Sequence, residues 1–205
     1  MFTAKVMGVL ALAGGTTVFS LLLLKYWICN DYDRRYESDV KVQNWNWGWC
    51  AFIIAYAPLC QVQTYVSLVF ACLLGSLYFA ITYTDYRHKL IPDRFQILGL
   101  ILGSVYVWQY QRTENILIAV LLTVFLSSLN VLYGKIRKRP GLGWGDVKML
   151  AWISLIAGER ILHVILLSCV VCGAHLLLSS DEKKGATFAF APYLVAAAYI
   201  VYFIR

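Results

Sequence analysis

Long polar stretches and a period-two alternation of apolar and polar residues are both missing from this sequence. Charged residues make up only 14% of the 205 residues, hydrophobic residues make up 60%, and the mean hydropathy is +0.67. A soluble globular domain is about 45–50% apolar, and the strands of a membrane barrel alternate. Because the apolar residues come in long blocks, the sequence predicts an all-α, polytopic integral membrane protein.

No internal repeat and no room for a separate soluble domain are visible between the apolar blocks. The blocks cover approximately residues 6–28, 48–61, 64–83, 95–110, 116–134, 147–158, 161–178 and 188–204. We therefore expect one membrane-embedded domain over residues 1–205 with about eight transmembrane helices. The second and sixth blocks are shorter than the ~20 residues of a full span, so they extend into a loop or cross part of the bilayer.

The net charge of +7 is explained by membrane topology and does not indicate nucleic acid. With eight spans, 14 of the 18 basic residues lie in or beside one set of alternate loops, and the others are Lys5, Arg112, Arg160 and Arg205. Basic loops stay in the cytoplasm. The charge distribution therefore places Asp85 and Asp146 on the same, cytoplasmic face.

These two aspartates stand at the ends of apolar blocks, where an acid is unfavourable and usually has a function. Asp85 follows the third block, at a helix C-terminus whose macrodipole disfavours an anion, although Arg87, His88 or Lys89 could neutralise it. Asp146 begins the sixth block, where helix capping is the alternative role.

Two carboxylates held close together share one proton, because both cannot ionise. The ionised member can act as general base on a water, and the protonated member can donate to the scissile carbonyl oxygen. Peptide hydrolysis by such a pair needs no metal and no cofactor. The sequence therefore predicts an aspartic protease with Asp85 and Asp146 as catalytic residues, without deciding which one holds the proton. No metal site is predicted, because His163 and His175 lack a metal-ligand spacing.

Several neighbouring residues are candidates for supporting the pair. Gly143 and Gly145 lack side chains, so another backbone could approach Asp146 closely. Pro92 stops the preceding helix, and Asp93 is well placed to N-cap the next one. Lys148 could stabilise the Asp146 carboxylate or bind lipid headgroups, and both roles stay open.

The spacing of these residues resembles that of the type IV prepilin peptidases, a family of membrane aspartic proteases. Asp85 with Pro92 and Asp93 matches the pattern D-x6-P-[DN], and residues 143–148 match G-x-G-D-x-K. A late family element, P-F-[GA]-P, is similar to residues 189–192, where Ala replaces the first Pro. Both Asp motifs occur in order, and the resemblance covers nearly the whole chain.

The resemblance implies an endopeptidase of the bacterial inner membrane that removes the short basic leader from type IV prepilins or pseudopilins. It implies catalysis by Asp85 and Asp146 on the cytoplasmic side, with membrane lipids as neighbours. The sequence identifies neither the particular prepilin nor the oligomeric state.

Longer family members carry two C-x-x-C pairs in the first cytoplasmic loop and methylate the new N-terminus with S-adenosylmethionine. Here this loop, residues 29–47, is reduced, and the stretch from Cys29 to Cys50 contains neither pair, so no structural zinc site is expected. N-methylation is left open, and S-adenosylmethionine is expected only if the chain methylates.

Two other functions remain as alternatives. In the first, the two aspartates carry protons or cations through a membrane transporter, although transporters more often show repeats and charges at mid-membrane. In the second, the chain is another G-x-G-D protease that cuts signal peptides or preflagellins.

Overall fold

The computed structural model describes residues 65–138, 141–178 and 189–203, and the regular elements in these ranges are all helical. In chain order they are α1 (Tyr65–His88), α2 (Asp93–Tyr110), α3 (Glu114–Arg137), α4 (Trp144–Ala157), a 3-10 turn (Gly158–Arg160), α5 (Ile161–Leu178) and α6 (Ala191–Phe203). The all-α prediction is confirmed for this part of the chain.

The six helices coincide with the last six predicted apolar blocks, with shifted ends, whereas the blocks at 6–28 and 48–61 lie outside the described residues. Three stretches of the described part are long and apolar enough to cross a membrane: Val69–Tyr86, Glu114–Arg137 and Trp144–Leu178. The last of these includes α4, the 3-10 turn and α5. A shorter apolar helix covers Ala191–Tyr202. The described part thus supports a membrane protein but does not confirm eight spans.

Two compact units divide the chain, with the boundary inside α1: Met1–Ala80 and Ile81–Arg205. Of the first unit, the structure describes only residues 65–80, which form the N-terminal part of α1. The second unit contains both aspartates. Within it, α4 packs against α2, α3 and α6, and α5 packs against α6.

The core of the second unit is built around α4, which is apolar on most of its surface and is therefore buried by its neighbours. Its most buried apolar side chains are those of Val147, Met149, Leu150, Trp152 and Ile153. The helices around it expose large apolar side chains, among them Leu117, Leu121, Val124, Phe125 and Leu166. An apolar exterior of this kind suits contact with lipid acyl chains.

The C-terminal end of α4 is fixed to the start of α3 by a buried amide. Asn115 Nδ2 donates to the Leu155 carbonyl over 2.8 Å. Gly158 follows the helix with a φ of +56°, in the left-handed region that favours glycine. A Cβ at Gly158 would lie 2.4 Å from Asn115 Oδ1, so this close approach also requires glycine. The contact holds one end of α4, and the other end carries Asp146.

Candidate active site

Asp85 lies in the last turn of α1, with its side chain buried inside the second unit. The residue is only 6% exposed. The helix ends just after it, because Lys89 takes a left-handed conformation and its backbone N–H bonds to the Asp85 carbonyl over 2.9 Å. The side-chain charge of Lys89 interacts with that of Asp85. A carboxylate at a helix C-terminus therefore has a basic neighbour, as one of the sequence alternatives proposed.

The backbone of α6 supplies the hydrogen bond to Asp85. The Ala191 N–H donates to Asp85 Oδ2 over 3.0 Å in a buried environment. Ala191 is the first residue of α6, and the Phe190 carbonyl accepts from the N–H groups of Tyr193 and Leu194. The first N–H groups of a helix have no partner within the helix, and they carry its positive dipole end. Asp85 satisfies one of them.

Asp146 is the third residue of α4, and its side chain is half-buried. Helix α4 begins where Gly143, with an extended backbone, accepts a hydrogen bond from the Val147 N–H over 3.1 Å. A Cβ on Gly143 would lie 2.8 Å from Asp146 Oδ2, closer than real Cβ atoms approach their neighbours. Gly143 therefore makes room for the Asp146 carboxylate itself.

Asp85 and Asp146 come together within the second unit, near enough for their charges to interact. Their surroundings differ. Asp85 accepts a main-chain hydrogen bond, whereas no hydrogen bond to the Asp146 carboxylate is found among the described residues. The arrangement therefore pairs one carboxylate that accepts a main-chain donor with a second that accepts none within the described part of the chain.

Gly145, the residue before Asp146, is held by α2 and by the turn before it. Its carbonyl accepts a hydrogen bond from Gln96 Nε2 over 2.9 Å. A Cβ at this glycine would lie 3.4 Å from the side chain of Ile91, which is ordinary van der Waals contact. Both motif glycines thus face atoms of this chain.

The two Asp motifs are also joined at the surface. Lys148 Nζ forms an ion pair with Asp93 Oδ1, and both side chains are exposed. The expectation that Asp93 caps α2 is wrong: Pro92 occupies the N-cap position, no side-chain capping bond forms, and Asp93 is the first helical residue. Its carboxylate is instead positioned to meet Lys148.

Sequence reasoning missed two groups at this site. Ala191 was recognised as part of the late family element but given no role, because a backbone donor has no side-chain signature. Gln96 was overlooked, although an amide within an apolar block is a signal of a buried hydrogen bond. Within the described ranges, no group of three or more His, Cys, Asp or Glu side chains is arranged to hold a metal ion.

Comparison with known proteins identifies relatives of this chain. It is similar to proteins named prepilin leader peptidase/N-methyltransferase. The one from Dichelobacter nodosus is 28% identical over 141 residues, which is 67% of this chain and 49% of the relative. The one from Xanthomonas campestris pv. campestris is 30% identical over 149 residues, 69% of this chain and 50% of the relative. The one from Pseudomonas putida is 30% identical over 129 residues, which is 59% of this chain and 44% of the relative.

The chain spans about half the length of the curated relatives it matches. No solved structure matches it. The model of the type IV leader peptidase family matches residues 72–177 of the 205, a stretch that holds both Asp85 and Asp146. Because this match covers more than half of the chain, the chain belongs to the type IV leader peptidase family.

Proposed function

We propose that the chain is a membrane aspartic endopeptidase that removes the short basic leader from type IV prepilins or pseudopilins. The observation that carries the proposal is the pair formed by Asp85 and Asp146, whose charges interact. Membership of the peptidase family supports the reaction class. The names of the relatives support the substrate class.

In this proposal Asp85 is the ionised member of the pair. The Ala191 N–H can donate to a carboxylate oxygen, and the positive end of α6 favours a negative charge there. Asp146 has no such donor among the described residues and carries the shared proton. Two neighbouring carboxylates with different surroundings divide the roles of base and acid.

The reaction then proceeds through proton transfers alone. Asp85 takes a proton from water while the water oxygen attacks the scissile carbonyl carbon, and Asp146 donates its proton to the carbonyl oxygen. In the tetrahedral intermediate, Asp85 returns a proton to the amide nitrogen as the C–N bond breaks. Asp146 recovers its proton from the hydroxyl group as the new carboxyl group forms. The products are the leader and the apolar helix with a free amine.

The proposed location is the bacterial inner membrane, with the pair at the cytoplasmic face. A basic leader stays on the cytoplasmic side by the same charge rule that orients the enzyme. The apolar helix of the substrate would lie in the bilayer beside the apolar exterior of the second unit. Cleavage then occurs where the leader meets this helix.

Co-expression with a candidate prepilin tests the proposal, with processing measured by the mobility and mass of the pilin. We expect Asp85→Asn and Asp146→Asn each to abolish cleavage at normal membrane levels. Glu114→Gln is the matched control, because Glu114 pairs with Arg112 and stands apart from the two aspartates in sequence. Full processing by either Asp variant would overturn the proposal.

The same cleavage product decides whether the chain also methylates. The relatives carry N-methyltransferase in their names, and the chain spans only part of their length. Mass spectrometry of the mature pilin N-terminus, with S-adenosylmethionine supplied, reports a methyl group directly.

The comparisons give no support to the transporter alternative.

A further inference from the structure

The amide of Gln96 joins α2 to two points of α4. Gln96 is buried, and its Nε2 donates to the Gly145 carbonyl over 2.9 Å. Its Oε1 accepts from Trp152 Nε1 over 2.8 Å. The two partners lie about two helical turns apart on α4, so one side chain fixes both the start of that helix and its middle.

Apolar packing already holds α2 and α4 together at Trp152. The indole is almost fully buried, and Gly99 of α2 lies against it so closely that a Cβ there would fall 2.5 Å from the ring. Gly103 of α2 makes a second close approach: a Cβ there would lie 3.0 Å from the Leu155 side chain and 3.1 Å from the Trp152 carbonyl oxygen. These contacts determine how closely the helices approach, but apolar surfaces are non-directional and tolerate small shifts along the helix axis.

The first turn of α4 is held differently, since Gly145 presents no side chain to α2. At Gly145 itself, the carbonyl accepts the hydrogen bond from Gln96, and the side chain of Ile91 lies 3.4 Å from the position that a Cβ would take. A hydrogen bond is directional and fixes the position of the peptide group that it meets. Because Asp146 is the next residue, the direction of its carboxylate depends on where this peptide group is held.

We infer that Gln96 is a positioning residue of the proposed peptidase site: it holds the Gly145 carbonyl, and through it the Asp146 carboxylate, in place relative to Asp85. This inference rests on the proposed function. The Gly145 carbonyl can only accept, so the amide nitrogen of Gln96 faces it, and the Trp152 N–H satisfies the amide oxygen.

The test compares Gln96→Leu with the native protein, both purified as full chains and supplied with a prepilin. A misplacement of about 1 Å at a catalytic group can lower the rate by about 100-fold. We expect kcat to fall about 10- to 100-fold, while KM changes by less than about 3-fold because substrate contacts remain. Thermal unfolding of each variant reports whether the fold survives.

Two further variants separate positioning from stability. Trp152→Phe removes the indole N–H but keeps an aromatic ring and leaves the Gly145 hydrogen bond in place, so its loss of kcat should be much smaller. Gln111→Leu is the matched control, since Gln111 donates to the Trp108 carbonyl at the exposed end of the same helix. This variant should cleave at the native rate.

A native kcat in Gln96→Leu would overturn the inference. It would also be overturned if Trp152→Phe lost as much kcat as Gln96→Leu, because that equality indicates a purely structural network. Failure of the proposed function looks different: the native protein would then leave the prepilin uncut.

Discussion

The buried carboxylate of Asp85 accepts a hydrogen bond from the main chain of another helix, α6. A hydrogen bond to a charged group contributes about 1.5–3 kcal/mol, and a buried anion without a partner is strongly disfavoured. The Ala191 N–H is therefore an important support for the proposed base. Since every residue except proline keeps this N–H, one substitution can remove it.

Ala191→Pro should slow prepilin cleavage, and because Ala191 is fully buried, thermal unfolding must show that the variant still folds. Proline suits the first position of a helix, so α6 can still form, but the donor to Asp85 is lost. A loss of about 1.5–3 kcal/mol of stabilisation, if all of it is felt in the transition state, corresponds to a rate reduction of about 10- to 160-fold. The measurement is kcat with a purified prepilin. Ala191→Gly keeps the N–H and is the control; equal rates in the two variants would contradict the prediction.

The two motif glycines should differ in their tolerance of a methyl group. At Gly143 a Cβ would lie 2.8 Å from Asp146 Oδ2, so Gly143→Ala forces the carboxylate to turn away. At Gly145 the nearest atoms are 3.4 Å away, so Gly145→Ala is accommodated with small shifts. We expect kcat of Gly143→Ala to be at least 10-fold lower than kcat of Gly145→Ala. This ratio corresponds to a difference of ~1.4 kcal/mol or more between their activation barriers. The opposite order would show that the carboxylate does not occupy this position.

Residue types with a recognisable spacing were predictable from the sequence, and main-chain partners were not. Asp85 and Asp146 were found by their position and motifs, and the structure places their charges within interaction range. Ala191 is 106 residues from Asp85 and acts through its N–H, which every non-proline residue carries. Gln96 could have been suspected as a polar residue in an apolar block, but its partners depend on how α2 packs on α4.

At the scale of elements, the helices were predicted better than their ends. The third block was expected to stop near residue 83, but α1 continues to His88, so Asp85 lies inside its last turn. The sixth block was expected to begin at residue 147, but α4 begins at Trp144 and includes Asp146. Apolar blocks mark the membrane-facing or buried part of a helix, whereas polar terminal turns continue until a backbone signal ends them.

The packing of α2 on α4 depends on Gly99. A Cβ there would lie 2.5–2.8 Å from three atoms of the Trp152 ring, and the indole is enclosed on its other sides. Gly99→Ala should therefore push the helices apart and destabilise the protein by about 1–3 kcal/mol. Thermal or denaturant unfolding of the purified protein measures this change.

A matched control for that variant lies in α5. Gly173 has no atoms within 4 Å of the position that a Cβ would take, so Gly173→Ala adds a methyl group without a clash. Alanine also favours helix more than glycine does, by about 1 kcal/mol. This control should unfold at the native temperature or above it. Equal destabilisation of the two variants would contradict the packing explanation.

At the scale of the whole molecule, the charge pattern and the proposed chemistry together predict one orientation in the membrane. Helix α4 has 14 residues and is about 21 Å long, shorter than the ~30 Å hydrocarbon core of a bilayer. A helix of this length cannot place both of its ends in water across an undistorted bilayer. In the proposed peptidase, the α4 end with Asp146 meets an aqueous phase, because proteolysis consumes water, and the charge pattern predicts that this phase is the cytoplasm.

Cysteine labelling can test this orientation. Single cysteines at the exposed positions Arg94 and Arg137 are expected on the cytoplasmic side, and a cysteine at the exposed position Arg112 is expected on the other side. The host chain is a variant without its six native cysteines that still cleaves prepilin. A membrane-impermeant maleimide applied from outside should label position 112 in intact cells, and positions 94 and 137 only after permeabilisation. Labelling of 94 and 112 from the same side would rule out the topology on which a cytoplasmic site depends.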